Sequence, residues 1–223
     1  MVETKELIEL NNLVVFRINE VLKFKDFVVI GLPGGRSISH ITDILKNDSR
    51  IDWKRIHFFM VDERLVPINH EDSNYYLLDK IFFTELVRSG KLPKENIHPF
   101  YLLDHADYGL AEYDLEFRKY GSKFDIAFFG VGEDGHIGGL FPKMVNDRSS
   151  LFFILHNSPK PPKNRVTLSK ENLLNSGLVI LLFIGGSKKN AFEKFKDLNI
   201  KPENCPAKLA LNSKESVVYF SFD

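Results

Sequence analysis

The sequence predicts an α/β fold with a mainly parallel sheet covered by helices on both faces. Three observations predict it. Strand-like and helix-like segments alternate along most of the chain. Several strand-like segments, Phe27 to Leu32 and Leu178 to Ile184 above all, are apolar throughout rather than at every second residue. Strands buried on both faces read that way, because neither face meets water. The chain has 223 residues, 43% of them hydrophobic, which suits one large domain over residues 1–223 better than two.

Leu7, Ile8, Leu10, Val14, Val15, Ile18, Val21 and Leu22 recur at helical spacing, so the chain opens with an amphipathic helix. Phe27 to Leu32 is a buried strand broken by Pro33, Gly34 and Gly35, after which Arg36 and Ser37 lead into a helix from about Ile38 to Leu45. Strand, glycine turn and helix favour an anion through backbone N–H groups and the helix dipole. An ordinary βα turn has the same letters. Ile56 to Val61 is a second strand, ending in Asp62, Glu63 and Arg64. Such a charged trio is often solvated rim, but an inward arginine binds carboxylate, phosphate or a developing oxyanion. Asp72 or Ser73 caps a helix through about Val87, with Tyr76, Leu77, Ile81, Phe82 and Leu86 on its buried face. A short strand over Ile97 to Phe100 and a helix from about Tyr108 to Tyr120 follow.

The next stretch, Phe124 to Pro142, is the centre of the chain. Its apolar run Ile126 to Phe129 is a buried strand that stops at Gly130, and Gly132 and Gly135 then frame Asp134 and His136. Open α/β sheets place ligands beyond the carboxyl ends of their strands, where these side chains would lie. Histidine is the side chain whose unperturbed charge change falls near neutral pH, and Asp134 stands where it could fix the tautomer of His136. Gly130-x-Gly132-x-x-Gly135 also matches a dinucleotide fingerprint in letters. Asp134 would set a negative charge against the pyrophosphate, and Pro142 arrives before a helix develops, so the context excludes that reading. A turn with a hydrogen-bonded surface histidine is the plain alternative.

Leu151 to Leu155 is a further strand, and Ser158 to Pro162 is a stiff, extended connector that proline bars from being helical. Arg165 to Leu168 is a short strand, with a helix beginning near Ser169. Leu178 to Ile184 stops at Gly185 and Gly186, and Ser187, Lys188 and Lys189 begin another helix, from which a lysine can reach the sheet edge or simply be solvated. A short helix near Pro206 to Leu211 and a strand, Val217 to Phe220, close the chain. Four polar clusters thus follow strand ends: Gly34 to Ser37, Asp62 to Arg64, Asp134 to His136, and Gly185 to Lys188. A parallel sheet would bring them to one edge.

Composition narrows the partners. Lys plus Arg and Asp plus Glu number 30 each, so no overall field draws in nucleic acid or an acidic membrane. Any anionic ligand needs a local cluster of basic groups. Cys205 is the only cysteine, which excludes an internal disulfide and a multi-cysteine zinc site. The amino terminus is charged and lacks the apolar core of a signal peptide, and no apolar run approaches the ~20 residues of a membrane span. A cytoplasmic protein is expected.

Several motifs together resemble those of 6-phosphogluconolactonases. They are GVGEDGHIGGLFP, VDERLVP followed by HEDSNY, SPKPPKNRVTLS and GGSKKNAF, in the family's order from about residue 27 to 196. The resemblance implies a Rossmann-like three-layer α/β/α domain, shared with the glucosamine-6-phosphate isomerases. It implies hydrolysis of 6-phospho-glucono-1,5-lactone in the oxidative pentose phosphate pathway, with no metal or cofactor; separately, a monomer or weak homo-oligomer is expected. By position, His136 matches the family's general base and Asp134 its orienting partner. Gly34, Gly35 and Ser37 match the phosphate loop, Arg165 and Lys188 the basic groups near the phosphate, and Arg64 the arginine facing the sugar-acid end. Two departures stand out. Arg36-Ser37-Ile38 replaces Ser-Thr-Pro, so Arg36 either adds a guanidinium to the phosphate or points away. Gly138-Gly139 replaces Ala-Ser, which should loosen that turn.

Three other functions compete. Amino-sugar-phosphate deaminases share Asp62 and the Asp134-Gly-His136 pattern, but carry an acidic residue five positions past the histidine, where Phe141 stands, and Asp-Glu-Tyr in place of Asp62-Glu63-Arg64. A non-catalytic sugar-phosphate sensor would not need His136 and Asp134 intact. An interaction module would leave the polar clusters at the sheet edge unexplained.

Overall fold

The structure is a computed structural model that describes residues 1–35, 37–103, 106–145 and 150–222. Ten strands and seven α-helices are described among these residues. In chain order they are β1 (Val2–Thr4), α1 (Leu7–Leu22), β2 (Val28–Leu32), α2 (Ser37–Leu45), β3 (Ile56–Met60), β4 (Asp62–Arg64), α3 (Asn74–Leu78) and α4 (Thr84–Arg88). There follow β5 (Ile97–His98), α5 (Ala106–Lys119), β6 (Ile126–Gly130), β7 (Phe152–Leu155), β8 (Arg165–Leu168), α6 (Lys170–Asn175), β9 (Leu178–Ile184), α7 (Lys189–Lys196) and β10 (Ser216–Ser221). Among the described residues no helix is long and apolar enough to cross a membrane.

Seven strands form one sheet in the order β1-β10-β9-β6-β2-β3-β5, and every pairing in it is parallel. Side chains alternate between its two faces, and both faces are dry. In β9, Leu178, Ile180 and Leu182 join a core cluster with α1, α2, α3 and α4, whereas Val179, Leu181 and Phe183 join another with α5, α6 and α7. This double burial is why β2, β6 and β9 read as unbroken apolar runs.

A second sheet was not foreseen. β4, β8 and β7 pair antiparallel in that order, so the charged trio at the end of the second predicted strand is itself a strand. Val61 joins the sheets: its N–H donates to the Leu32 carbonyl at 3.0 Å, and its own carbonyl accepts from Leu168 N–H at 2.9 Å. Ser158 to Pro162 is correspondingly no straight connector but part of the loop that turns β7 into β8. Ser158 N–H donates to the Lys163 carbonyl at 2.8 Å and its hydroxyl to the Lys160 carbonyl at 2.6 Å.

Three further differences have local causes. β1, a polar three-residue segment, pairs with β10 and carries no apolar signal of its own. The predicted strand at Ile97 to Phe100 is only two residues long, because Pro99 has no N–H to give to a ladder. Ser73, not Asp72, caps the helix of residues 74–88, its hydroxyl accepting from Tyr76 N–H at 3.1 Å. That helix passes through a π turn at Asp79–Phe83, which rotates its register. Leu78, Phe82, Phe83 and Leu86 are buried, while Tyr76, Leu77 and Ile81 are only half-buried.

Candidate active site

The strands of the large sheet release their chains on one edge, and a cleft of about 470 Å³ lies there. Gly34, Gly35 and Ser37 reach it from β2, Asp62 and Arg64 from β4, Gly132 and His136 from β6, and Gly185 and Lys188 from β9. The small sheet closes one side and contributes Arg165, with Lys160 from its hairpin loop. The parallel sheet thus brings the four clusters together. Arg36 lies outside the described residues.

The turn after β6 is shaped around the imidazole. Gly135 N–H donates to the Gly132 carbonyl at 2.9 Å, and Gly132 N–H to the His136 carbonyl at 2.8 Å. A Cβ on Gly132 would sit 2.0 Å from His136 Nδ1, so only glycine leaves room for the ring. Gly135 has φ +90°, a left-handed conformation that suits glycine, and a Cβ there would meet Cys205 Sγ at 2.7 Å. Asp134 Oδ1 lies 2.5 Å from His136 Nδ1 and accepts from the His136 backbone N–H at 3.2 Å. Burial pushes the Asp134 carboxyl up, but the hydrogen bonds and charge of His136, with Lys160 further off, prevail and hold it well below the usual carboxylate range. An ionised Asp134 only accepts, so the proton of neutral His136 sits on Nδ1 and Nε2 keeps its lone pair. Phe141 packs against the imidazole, ring centres 4.4 Å apart.

Gly138 has φ +52°, and a Cβ on Gly139 would lie 2.7 Å from Thr167 Cβ. Gly139 N–H also donates to Thr167 Oγ1 at 2.9 Å. The glycine pair therefore packs the turn tightly onto β8, contrary to the expectation of a looser one.

The basic groups differ in how firmly they are held. Arg165 is 5% exposed. Its guanidinium donates to the carbonyls of Pro162 at 3.2 Å, Pro161 at 3.1 Å and Lys160 at 3.5 Å, and lies 3.5 Å from Asp62 Oδ2. Burial lowers its pKa, Asp62 opposes that, and the neighbouring charge of Arg64 adds to the lowering. Arg165 thus both lines the cleft and clamps the loop that carries Lys160. Arg64 donates through Nη1 to the Asp72 carbonyl, and its Nε is buried with no hydrogen-bond partner among the described residues. Lys188, at the start of α7, has Nζ 4.0 Å from Glu133 Oε1.

Glu63 turns away from the cleft. It is 2% exposed and accepts from Arg64, Asn74 and Tyr75 N–H groups and from the Ser73 hydroxyl, at 2.7, 2.7, 2.8 and 3.1 Å. Burial pushes its carboxyl up, and the three N–H groups pull the other way. It anchors the start of α3 and offers no base to a ligand.

Sequence reasoning missed Lys160, His40, Glu133 and Asn74, all of which border the cleft. Lys160 stands in the motif SPKPPKNRVTLS and Asn74 in HEDSNY, but the first segment was otherwise read as a spacer and the second as the start of a helix, and neither residue was given a role. With them the lining carries Arg64, Lys160, Arg165 and Lys188 against Asp62 and Glu133, so a chain of zero formal net charge concentrates positive charge here. Among the described residues no group of three or more His, Cys, Asp or Glu side chains is placed to hold a metal ion.

Residues 3–219 match the family described as glucosamine-6-phosphate isomerases/6-phosphogluconolactonase. A 6-phosphogluconolactonase of Borreliella burgdorferi is 38% identical over 187 residues, covering 82% of this chain and 79% of that one. A 6-phosphogluconolactonase of Thermotoga maritima is 29% identical over 204 residues, covering 92% and 88%. The crystal structure of 6-phosphogluconolactonase from Thermotoga maritima superposes with a TM-score of 0.83 at 26% identity, covering 97% of this chain and 96% of that one. That of a 6-phosphogluconolactonase from Shewanella baltica gives 0.83 at 21% identity, covering 98% and 95%, a likeness of fold.

Proposed function

The chain belongs to the glucosamine-6-phosphate isomerase/6-phosphogluconolactonase family, and on that premise we propose that it hydrolyses 6-phospho-D-glucono-1,5-lactone to 6-phosphogluconate. The observation that carries the reading is the Asp134–His136 pair, 2.5 Å apart, in a cleft lined by four cationic side chains. A cleft of this size accommodates a sugar phosphate, and its positive lining suits a substrate that is anionic before and after reaction.

His136 Nε2 takes a proton from a water molecule as the water oxygen bonds to the C1 carbonyl carbon. Nδ1–H stays on Asp134, whose negative charge stabilises the imidazolium that forms. Arg64 or the N–H groups of the turn balance the charge on the tetrahedral oxygen. As that intermediate collapses, the bond from C1 to the ring oxygen breaks, and His136 returns the proton to the departing oxygen. A carboxylic acid and a free hydroxyl result, and the acid then loses its proton to solvent to give the carboxylate; no step is routed through a metal. Gly34, Gly35 and Ser37, at the start of α2, hold the phosphate together with Lys188 and Arg165. Binding energy from that remote end orients the lactone.

Phe141 separates this reading from amino-sugar-phosphate deamination. The position where deaminases carry an acid is here a fully buried ring packed on His136 and beneath the Arg165 guanidinium, 5.6 Å from its centre. The test is a coupled assay with freshly made 6-phosphogluconolactone, corrected for spontaneous opening. Turnover well above the spontaneous rate, with no ammonia released from glucosamine 6-phosphate, is expected. Ammonia release without lactone turnover would overturn the assignment.

A further inference from the structure

Asn74 opens α3 and is 2% exposed despite its polar side chain. Nδ2 donates to the Asp62 carbonyl at 2.8 Å, which fixes the orientation of the amide, since a reversed amide would set oxygen against oxygen. Oδ1 is buried with no hydrogen-bond partner among the described residues. It presses on the loop after β2: a Cβ on Gly34 would lie 1.8 Å from it. The backbone of Asn74 is fixed too, because its N–H and that of Arg64 both donate to Glu63 Oε1 at 2.7 Å.

A buried acceptor without a donor destabilises a fold, so stability does not account for an amide at this place. Its position does. One side chain touches β4 through the Asp62 carbonyl and the Gly34–Gly35 loop through Gly34. Both structures border the cleft, and Glu63 locks the element that carries Asn74. The loop cannot settle toward β4 while Oδ1 stands behind it.

We propose that Asn74 is a positioning residue that props the Gly34–Gly35 loop in the shape needed by the anionic group of the substrate. The proposal rests on the cleft's being a phospholactone site, with the phosphate on that loop. Asn74 acts through the loop and does not touch the reacting atoms. Its removal therefore affects capture of the anion more than the chemical step.

Asn74→Ala removes the prop and keeps the helix. KM for 6-phosphogluconolactone is expected to rise about tenfold, while kcat changes by less than about threefold. Inorganic phosphate, titrated calorimetrically into the full chain, is expected to bind more weakly by a similar factor. A role confined to stability would lower the urea midpoint and the active fraction, hence kcat, and leave KM unchanged; that outcome overturns the proposal. If the alanine variant does not fold, the isosteric Asn74→Asp carries the test. It loses the bond to Asp62 and adds charge behind the anion, so KM should rise at least as far, and an unchanged KM overturns the idea. If the wild type lacks lactonase activity, the hydrolase reading fails on its own. Comparing inorganic phosphate binding by wild type and variant still decides the role of Asn74.

Discussion

His136 has one nitrogen engaged with Asp134 and one left for a proton transfer, and that asymmetry sets its predicted behaviour. Replacing it with Asn should lower kcat by about 10²- to 10⁴-fold, the range for a positioned base. The variant should still fold, with some loss of urea midpoint from the contacts to Asp134 and Phe141; wild-type kcat in a variant shown to be folded would remove His136 from the mechanism. Lys188 and Arg165 were read alike in the sequence, but their surroundings predict different variants. Lys188→Ala should raise KM for the phospholactone and cost less stability than a change at Arg165, since the Lys188 side chain is less deeply buried and its pairing with Glu133 is long and partly solvated. Arg165→Ala leaves the Pro161 carbonyl without its donor, leaves those of Pro162 and Lys160 to the Ser158 hydroxyl alone, and removes the guanidinium beside buried Asp62, which should cost roughly 3 kcal/mol of stability as well as activity. Urea unfolding of the two variants checks this, and equal stability would mean that Arg165 clamps nothing. The contrast also shows what was legible. Residues that follow a strand end, such as Gly34, Asp134 and Lys188, are placed by the sheet alone, so the sequence locates them. Lys160 and Asn74 reach the cleft only because a hairpin folds back and a helix starts at one particular point. No local pattern encodes either event.

The elements legible in the sequence were those whose burial is two-sided. β2, β6 and β9 lie inside the sheet and carry continuous apolar runs, and α1 carries a clear helical face. Two strands of the small sheet, β7 and β8, were legible as strands, but the sheet itself was missed because β4, which pairs with β8, is three charged residues with no apolar signature. Their pairing comes from tertiary contacts, through the bonds of Val61 to both sheets. The π turn in the helix of residues 74–88 defeated the choice of buried face for a related reason, since a fixed period of 3.6 cannot describe a helix whose register rotates midway. This small sheet also supports the turn that carries His136, which leads to a prediction at this scale. Gly139→Ala would place a methyl 2.7 Å from Thr167 Cβ and push the turn off β8. Overpacking of this kind costs about 1–3 kcal/mol, and because His136 lies three residues earlier, kcat should fall along with the urea midpoint. An alanine variant with wild-type values of both would mean that the turn has slack that the structure does not show.

The molecule as a whole has equal numbers of acidic and basic side chains, so its response to pH depends on particular buried groups rather than on net charge. One such set lies outside the cleft. His57 on β3 and His98 on β5 face each other with Nδ1 and Nε2 3.0 Å apart, and His98 Nδ1 lies 3.1 Å from Glu116 on α5, whose other oxygen accepts from Lys119 at 2.7 Å. Phe59 stacks on His98, Phe27 meets His57 edge-on, and Tyr120 leans on both imidazoles. Only one proton fits between the facing nitrogens. Burial lowers the pKa of His98 to about 4, with the charge of His57 adding to the effect and Glu116 opposing it. Burial likewise lowers His57, again against Glu116. In the unfolded chain both would titrate near the ordinary value of about 6.5. Above that pH neither state binds these protons, and the pair adds no slope to stability. Between about 6.5 and 4 the unfolded chain takes up protons that the native one refuses, so stability must fall as pH falls. Asp134 works in a lower window: its depressed carboxyl withdraws stability only below the ordinary carboxylate range of about 4. Urea midpoints measured from pH 7.5 down to about 5 should therefore decline, the raised carboxyls of Glu63 and Asp114 opposing the trend because they take up protons in the native state first. His98→Gln, which removes one of the two imidazoles, should flatten that decline and leave lactone turnover at pH 7.5 unchanged, because His98 does not border the cleft. A midpoint that stays level to pH 5, or a variant as steep as the wild type, would show that the facing histidines do not govern the acid limb.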